Sequence, residues 1–169
     1  MAKITALLHT HNDAQRIGRA LESLRACDEV LVVDHASTDD TVKLARDHGA
    51  VVKEGVPGVS PGVYAGDAGH DWILCMLPTE AVSEGLEASL FEWKQRREAN
   101  SDQAENDKHA AEACSVAFQV REDTGDGWGE LGEHTRLVNR KGINWTGHLP
   151  LDDPNAEILP GHLLRFHRP

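Results

Sequence analysis

The first fifty residues alternate between short apolar runs and segments of helical periodicity, and this pattern restricts the fold more than any other feature. Buried strands are predicted at residues 3–9, 29–35 and 51–53, because each run is short and rich in branched side chains. In the segment after the first run, Ile17 and Leu21 recur at helical spacing. The order strand, helix, strand, helix, strand predicts an α/β fold with a mainly parallel sheet and right-handed crossovers.

Polar residues indicate where the two crossover helices begin and end. Asn12 or Asp13 is predicted to cap the first helix, and Ser37 or Thr38 is predicted to cap the second. Gly49 is predicted to end the second helix. Ligands of open parallel sheets bind at the carboxyl ends of the strands, so a functional site is expected at the carboxyl ends of these strands.

The rest of the chain is less regular. Residues 54–71 are rich in Gly and Pro and are predicted to form a loop, and residues 72–77 a fourth buried strand. A helix is predicted over residues 83–97, and further strands near residues 114–122 and 162–167. A glycine-rich turn is predicted to lead into "TRLVNR".

Composition limits the class of protein. A chain of 169 residues with 40% hydrophobic and 27% charged residues is typical of one soluble globular domain, here taken as 1–169. No apolar run approaches the roughly 20 residues of a membrane span, and no signal peptide is recognised, so a cytoplasmic location is expected. Cys27, Cys75 and Cys114 are expected to stay reduced.

The charge is strongly negative and unevenly distributed. A formal net charge of −11 argues against a nucleic-acid partner, because such binding depends on Lys and Arg. Acidic residues crowd residues 80–112, whereas "RLVNRKG" and "LLRFHRP" are basic. An anionic ligand would favour the two basic segments.

The run "ITALLHTHNDAQRIGRALESLRACDEVLVVDHASTDDTVKLARDHGAVV" resembles the nucleotide-binding half of family 2 glycosyltransferases, especially the branch of lipopolysaccharide core transferases. The resemblance implies a GT-A-like three-layer sandwich, with a mainly parallel central sheet and helices on both faces. It divides the domain into a nucleotide-binding half, 1–77, and an acceptor-side half, 78–169. It also implies a pocket for uridine diphosphate (UDP) or a UDP-sugar, formed by Thr10, His11, Asn12, Asp13, Asp34 and Ser37.

The family's metal-binding motif is altered in this chain. After "DWIL" the family has two Asp residues that hold Mg²⁺ or Mn²⁺ against the diphosphate, and Leu77 and Thr79 occupy those two positions. Leu77 offers no ligand atom, and Glu80 is the carboxylate that remains. No metal and no other cofactor is therefore expected.

The acceptor side matches the family more loosely. In "RLVNRKGINWTGH", Trp145 and His148 resemble an acceptor-site pair. Asp152 and Asp153 are the nearest acids that could act as a general base, although Leu149 replaces the Glu that usually follows the late His. His9 and His11, which share a strand face, could form a small transition-metal site with Asp34 or His35, but stacking or packing is favoured.

Two functions are consistent with these features. The first is a relative that has lost metal-dependent transfer, keeps weak nucleotide binding and acts through a ligand, a protein partner or a homo-oligomer. The second is an active, metal-independent glycosyltransferase in which Arg136, Arg140 or Lys141 neutralises the diphosphate. The sequence favours the first.

Overall fold

The computed structural model describes residues 1–101, 114–142, 145 and 147–169, and for residues 98–101 it describes the backbone alone. The strands are β1 (Ile4–Thr10), β2 (Glu29–Asp34), β3 (Val51–Glu54), β4 (Trp72–Met76), β5 (Glu80–Val82), β6 (Ser115–Asp123), β7 (Trp128–Asn139) and β8 (Glu157–Arg165). The α-helices are α1 (Ile17–Glu22), α2 (Thr41–Asp47) and α3 (Glu84–Ser101), and a 3₁₀ helix covers Pro61–Asp67.

All eight strands form one sheet in the order β3-β2-β1-β4-β7-β6-β8-β5. The first four strands of this order are parallel, and β7 then joins antiparallel to β4. The parallel part is thus built from the first half of the chain, and β6 and β8 also pair in parallel. The predicted α/β fold class with three parallel crossover strands is confirmed.

Two apolar cores lie on opposite faces of the sheet. On one face, residues of α1 and α3 and Ala45 of α2 pack against the strands, with Trp93 and Phe118 among the largest side chains. On the other face, Tyr64 and Ala65 of the 3₁₀ helix and Trp145 cover Leu7, Val33, Cys75 and their neighbours. Among the described residues, the layer on this second face is therefore a 3₁₀ helix and loops.

Both predicted helix caps are wrong in detail. Helix α1 begins only at Ile17, and Asn12 lies far before it with φ of 53°. Helix α2 begins at Thr41, and its cap position makes no side-chain hydrogen bond. The polar residues after β1 and β2 instead bond to each other across the two loops. Gly49 follows α2 with φ of 80°, in agreement with its predicted role as a stop.

The second half of the chain departs from expectation at two strands. Strand β5 has three residues and was missed, because so short a run carries no periodicity. Strand β7 begins at Trp128, so most of the predicted glycine-rich turn is strand and the turn itself is confined to residues 124–127. Within the described parts of the chain, no helix is long and apolar enough to cross a membrane.

Candidate functional site

The candidate site lies at the carboxyl ends of β1 and β2. These strands pair in parallel with Thr10 opposite Asp34, so the loops that follow them start side by side. The backbone N–H of His35 donates to the carbonyl of Thr10 at 2.9 Å, which extends the pairing by one residue. The sheet therefore brings together the six residues predicted to bind a nucleotide.

The two loops are joined by side-chain hydrogen bonds. Asn12 donates its backbone N–H to Oγ of Ser37 at 2.8 Å, and its Oδ1 accepts the N–H of Thr38 at 2.8 Å. The N–H of Asp13 donates to Oγ1 of Thr41, also at 2.8 Å. Such cross-links fix both loops before any ligand arrives.

Two of the predicted contact residues are buried and hold the loops from within. Thr10 donates its hydroxyl to Asp13, and Asp34 accepts both the N–H and the hydroxyl of Ser37. His11 and Asn12 are the exposed members of the set. The two loops also border an open groove of about 560 Å³, lined by Asn12, Asp13, Ala14, Gln15, Arg16, Thr38, Asp39 and Asp40.

The segment 77–80, where the sequence predicts an altered metal-binding motif, contains a turn. Residues 78–79 form the turn, and the N–H of Glu80 donates to the carbonyl of Leu77 at 3.0 Å. Leu77 and Thr79, which are predicted to replace the family's metal-binding Asp pair, are half-buried. The described residues contain no group of three or more His, Cys, Asp or Glu side chains arranged to hold a metal ion.

The carboxylate that remains, Glu80, is fully buried and holds two cations. Arg136 donates to both of its oxygens at 3.0 and 3.1 Å, and Arg165 donates to Oε1 at 2.9 Å. The same carboxylate accepts the N–H of Leu77 at 3.0 Å. Glu80 therefore braces the turn and is not free to bind a metal, and the charge of Arg136 is already paired.

Arg140 and Lys141 lie near the amino end of β4, at the opposite end of the parallel strands from the candidate site. Both pair with Asp71, at 3.1 and 2.7 Å, and Asp71 precedes the first residue of β4. Because Trp72 pairs with Ile4, these cations are about six strand residues, or roughly 20 Å, from the level of Thr10. The structure does not bring them to the nucleotide-side residues.

Three histidines come together near the carboxyl end of β1. Nδ1 of His9 and Nε2 of His35 are 2.9 Å apart, so one donates to the other. The His148 ring lies 4.8 Å from the His9 ring and 5.8 Å from the His35 ring, measured between centroids. Tyr64 meets His9 edge-on at 5.7 Å.

Burial keeps His9 neutral. Desolvation, followed by the nearby charges of His148 and His35, lowers the pKa of His9 from 6.5 to about 4, although the Pro61 carbonyl acts in the opposite direction. Desolvation and His148 also lower the pKa of His35, while Asp34 acts to raise it. Nε2 of His9 is buried and has no well-formed hydrogen bond within the described residues.

The acceptor-side candidates all lie between β7 and β8 in the chain. Trp145 is buried against the second core, whereas His148 is exposed. Asp152 accepts the N–H of Thr135 and contacts His134 at 3.0 Å, and Asp153 accepts the Ser115 hydroxyl. A cavity of about 280 Å³ borders them, lined by Ala117, Glu133, Thr135, Asp152, Asp153, Pro154, Ala156 and Ile158.

The Ser115 hydrogen bond lowers the pKa of Asp153. A carboxylate whose pKa is held low is a poor proton acceptor for a sugar hydroxyl.

The sequence matches known proteins in one family. Residues 5–57 match the model of Glycosyl transferase family 2. An uncharacterized glycosyltransferase of Rickettsia felis is 42% identical over 94 residues, covering 53% of this chain and 33% of the relative. One from Rickettsia prowazekii is 32% identical over 146 residues, covering 83% and 48%. The chain thus spans about half, or less, of these relatives' length.

The fold matches solved structures as well. Glucosyl-3-phosphoglycerate synthase from Mycobacterium tuberculosis, in complex with Mn²⁺, UDP and glucosyl-3-phosphoglycerate, superposes with a TM-score of 0.57 at 16% identity, covering 99% of this chain and 73% of that one. A parallel half-sheet continued by antiparallel strands, with polar loops at the strand ends, is the GT-A class of glycosyltransferase fold. Residues 5–57 carry the match to glycosyltransferase family 2, and the fold of the chain agrees with that match.

Sequence reasoning missed two clusters. The ion pairs of Glu80 join residues that are more than fifty positions apart, and nothing near Arg136 or Arg165 signals their partner. The contact of His148 with His9 and His35 depends on how the chain between β7 and β8 folds over the sheet. The sequence did place His35 with His9, at the ends of neighbouring strands, but it gave no signal for His148.

Proposed function

We propose that the chain binds UDP or a UDP-sugar weakly at the carboxyl ends of β1 and β2, and that it has lost the metal-dependent transfer of its family. The observation that carries this proposal is the contrast between the two sides of the site. The loops of the base side are cross-linked and present His11 and Asn12, whereas at the metal position Leu77 and Thr79 replace the carboxylates and Glu80 is engaged by Arg136.

The physical consequence concerns the diphosphate. A divalent cation neutralises charge that builds up on the leaving phosphate, and each 1.4 kcal/mol lost from that stabilisation slows transfer about tenfold. Base contacts remain possible without it. Binding without efficient transfer is the expected outcome.

An active enzyme that uses Arg136, Arg140 or Lys141 in place of the metal is the weaker alternative. Arg136 is buried against Glu80. Arg140 and Lys141 pair with Asp71, at the amino end of β4 and away from the candidate site. Trp145, His148, Asp152 and Asp153 stay our candidates for an acceptor side. We also keep as proposals the lipopolysaccharide-core-like branch, a cytoplasmic location and a protein partner or homo-oligomer.

Titration calorimetry with UDP tests the proposal. In EDTA we expect weak binding that Mn²⁺ does not tighten, and no transfer from UDP-sugars in either condition. His11→Ala should weaken UDP about tenfold, because base stacking contributes roughly 1–3 kcal/mol. His48→Ala, on the surface of the C-terminal end of α2, is the matched control and should change nothing. A hundredfold gain in affinity with Mn²⁺ would contradict the proposal.

The lost-metal account has its own test. The double change Leu77→Asp and Thr79→Asp should create Mn²⁺ affinity in the presence of UDP, because two carboxylates then stand at one turn beside the diphosphate. Leu77→Asn with Thr79→Asn is the neutral control of similar shape. Paramagnetic broadening by Mn²⁺ is the readout. If the folded Asp variant gains no affinity over the Asn variant, the metal position has been misassigned.

A further inference from the structure

The histidine cluster, defined as His9, His35 and His148, lies beside the altered metal position. Leu8 of β1 pairs with Met76, the last residue of β4, so His9 is level with Leu77, which follows that strand. Side chains alternate along a strand, and His9 therefore shares the sheet face of Leu7 and Cys75, which is the face of the second core. The cluster thus lies close to the place where the family is expected to hold a divalent cation against the diphosphate.

The cluster is also graded from buried to exposed. His9 is 4% exposed, His35 is half-buried and His148 is exposed to solvent. The His35 and His148 rings are stacked with an interplanar angle of 13°, and both contact the His9 ring. A ligand could reach His148 and His35, while His9 holds them in place from below.

The surroundings of His9 and His35 disfavour the protonated forms of these two rings. Burial and mutual repulsion lower the pKa of both His9 and His35. The charged or titratable groups facing His35 are His9, His148, His11 and Asp34, and those facing His9 are His35, His148 and the edge of Tyr64. A bound phosphate dianion would reverse this balance, because a nearby negative charge favours the protonated ring.

We propose that the histidine cluster takes up a proton when a nucleotide diphosphate binds, and that the resulting imidazolium charge on His35 or His148 neutralises the phosphates in place of the family's divalent cation. This inference rests on the proposed nucleotide site. The proton comes from solvent, and no bond of the ligand breaks.

Metal coordination by the same rings fits less well. Nδ1 of His9 and Nε2 of His35 point at each other in a hydrogen bond, so their lone pairs do not converge on a third point. The described residues also contain no group with metal-binding geometry. A proton bound by the cluster would neutralise phosphate charge without any change in the positions of the three rings.

The test is proton uptake during UDP binding, measured by calorimetry in EDTA between pH 7 and 8 in buffers of different ionisation enthalpy. In this range the ligand has lost its last proton, since the second phosphate pKa is about 6. We expect net uptake, and an affinity that falls several-fold as the pH rises by one unit. His35→Asn and His148→Asn should each reduce the uptake and weaken UDP but not uridine. His48→Asn is the control and should behave as the unmodified protein.

Each other outcome overturns the inference in a distinguishable way. UDP that binds without proton uptake, or with unchanged uptake in both cluster variants, excludes the histidines and leaves the nucleotide site intact. Binding that EDTA abolishes and Zn²⁺ restores makes the rings metal ligands. Failure of both UDP and uridine to bind removes the nucleotide site itself. Circular dichroism and urea unfolding of each variant show that it is folded.

Discussion

At the scale of single residues, Glu80 is a buried carboxylate whose charge depends on its partners for stabilisation. It is fully buried, and its two oxygens accept from Arg136, Arg165 and the N–H of Leu77. Burying a carboxylate costs several kcal/mol, and its partners repay that cost only while all of them are present. Glu80 is therefore part of the scaffold.

Glu80→Gln should therefore destabilise the protein by roughly 3–5 kcal/mol, because it leaves the buried Arg136 without a counter-charge. Asp71→Asn removes a partner of two cations at a more exposed site and should cost at most about 1 kcal/mol. Urea unfolding at pH 7 measures both changes. Equal losses for the two variants would show that burial of Glu80 does not decide the effect.

At the scale of elements, α3 and β8 approach each other closely. Gly161 of β8 has φ of 105°, and a Cβ added there would lie 2.4 Å from the backbone N of Leu86 and 2.5 Å from its Cα. No real Cβ tolerates such distances, and the atoms it would meet are backbone atoms of α3. The first turn of the helix can approach β8 only because this residue is glycine.

Gly161→Ala should cost clearly more than Gly132→Ala. Gly132 of β7 also has a positive φ, 92°, but nothing lies within 4 Å of its added Cβ. Its variant therefore measures backbone strain alone, about 1–2 kcal/mol. The excess at Gly161 measures the clash with α3, and thermal or urea unfolding gives both values. Similar losses at the two positions would mean that α3 moves away without cost.

At the scale of the whole molecule, the buried His9 links global stability to pH. Its pKa is about 4 in the folded protein, against 6.5 for an ordinary histidine, because burial and then His148 and His35 disfavour the charged ring. Below pH 6.5 the unfolded chain binds a proton that the folded chain does not. Stability from this group is thus fully present above pH 6.5 and is lost as the pH falls toward 4.

The expected loss from this one group between pH 6.5 and 4 is about 3 kcal/mol, from a depression of about 2.5 units at 1.36 kcal/mol each. His9→Asn should flatten the pH dependence of the unfolding free energy in that window. His48→Asn should leave the slope unchanged. Urea unfolding at pH 4.5, 5.5 and 6.5 provides the comparison. Parallel curves for the unmodified protein and His9→Asn would exclude His9 as the source.

Several parts of this protein follow from local sequence. Apolar runs of four to seven residues separated by helical periodicity predicted β1, β2, β3 and their crossovers, because burial on both faces of a parallel strand leaves a continuous apolar signal. Gly49 predicted its own turn, since a positive φ favours glycine. The loops 10–13 and 34–37 carried enough of the family pattern to locate the candidate site.

Tertiary structure decided the rest. The caps failed because Asn12, Asp13 and Ser37 gain more hydrogen bonds from the neighbouring loop than from their own helix. Glu80 and Arg136 pair with each other although they are distant in sequence. Because β7 runs antiparallel to β4, Arg140 lies at the amino end of β4, away from the candidate site. Local periodicity determines which segments become strands and helices, whereas charge pairing and the meeting of His9, His35 and His148 depend on contacts that form only when distant segments fold together.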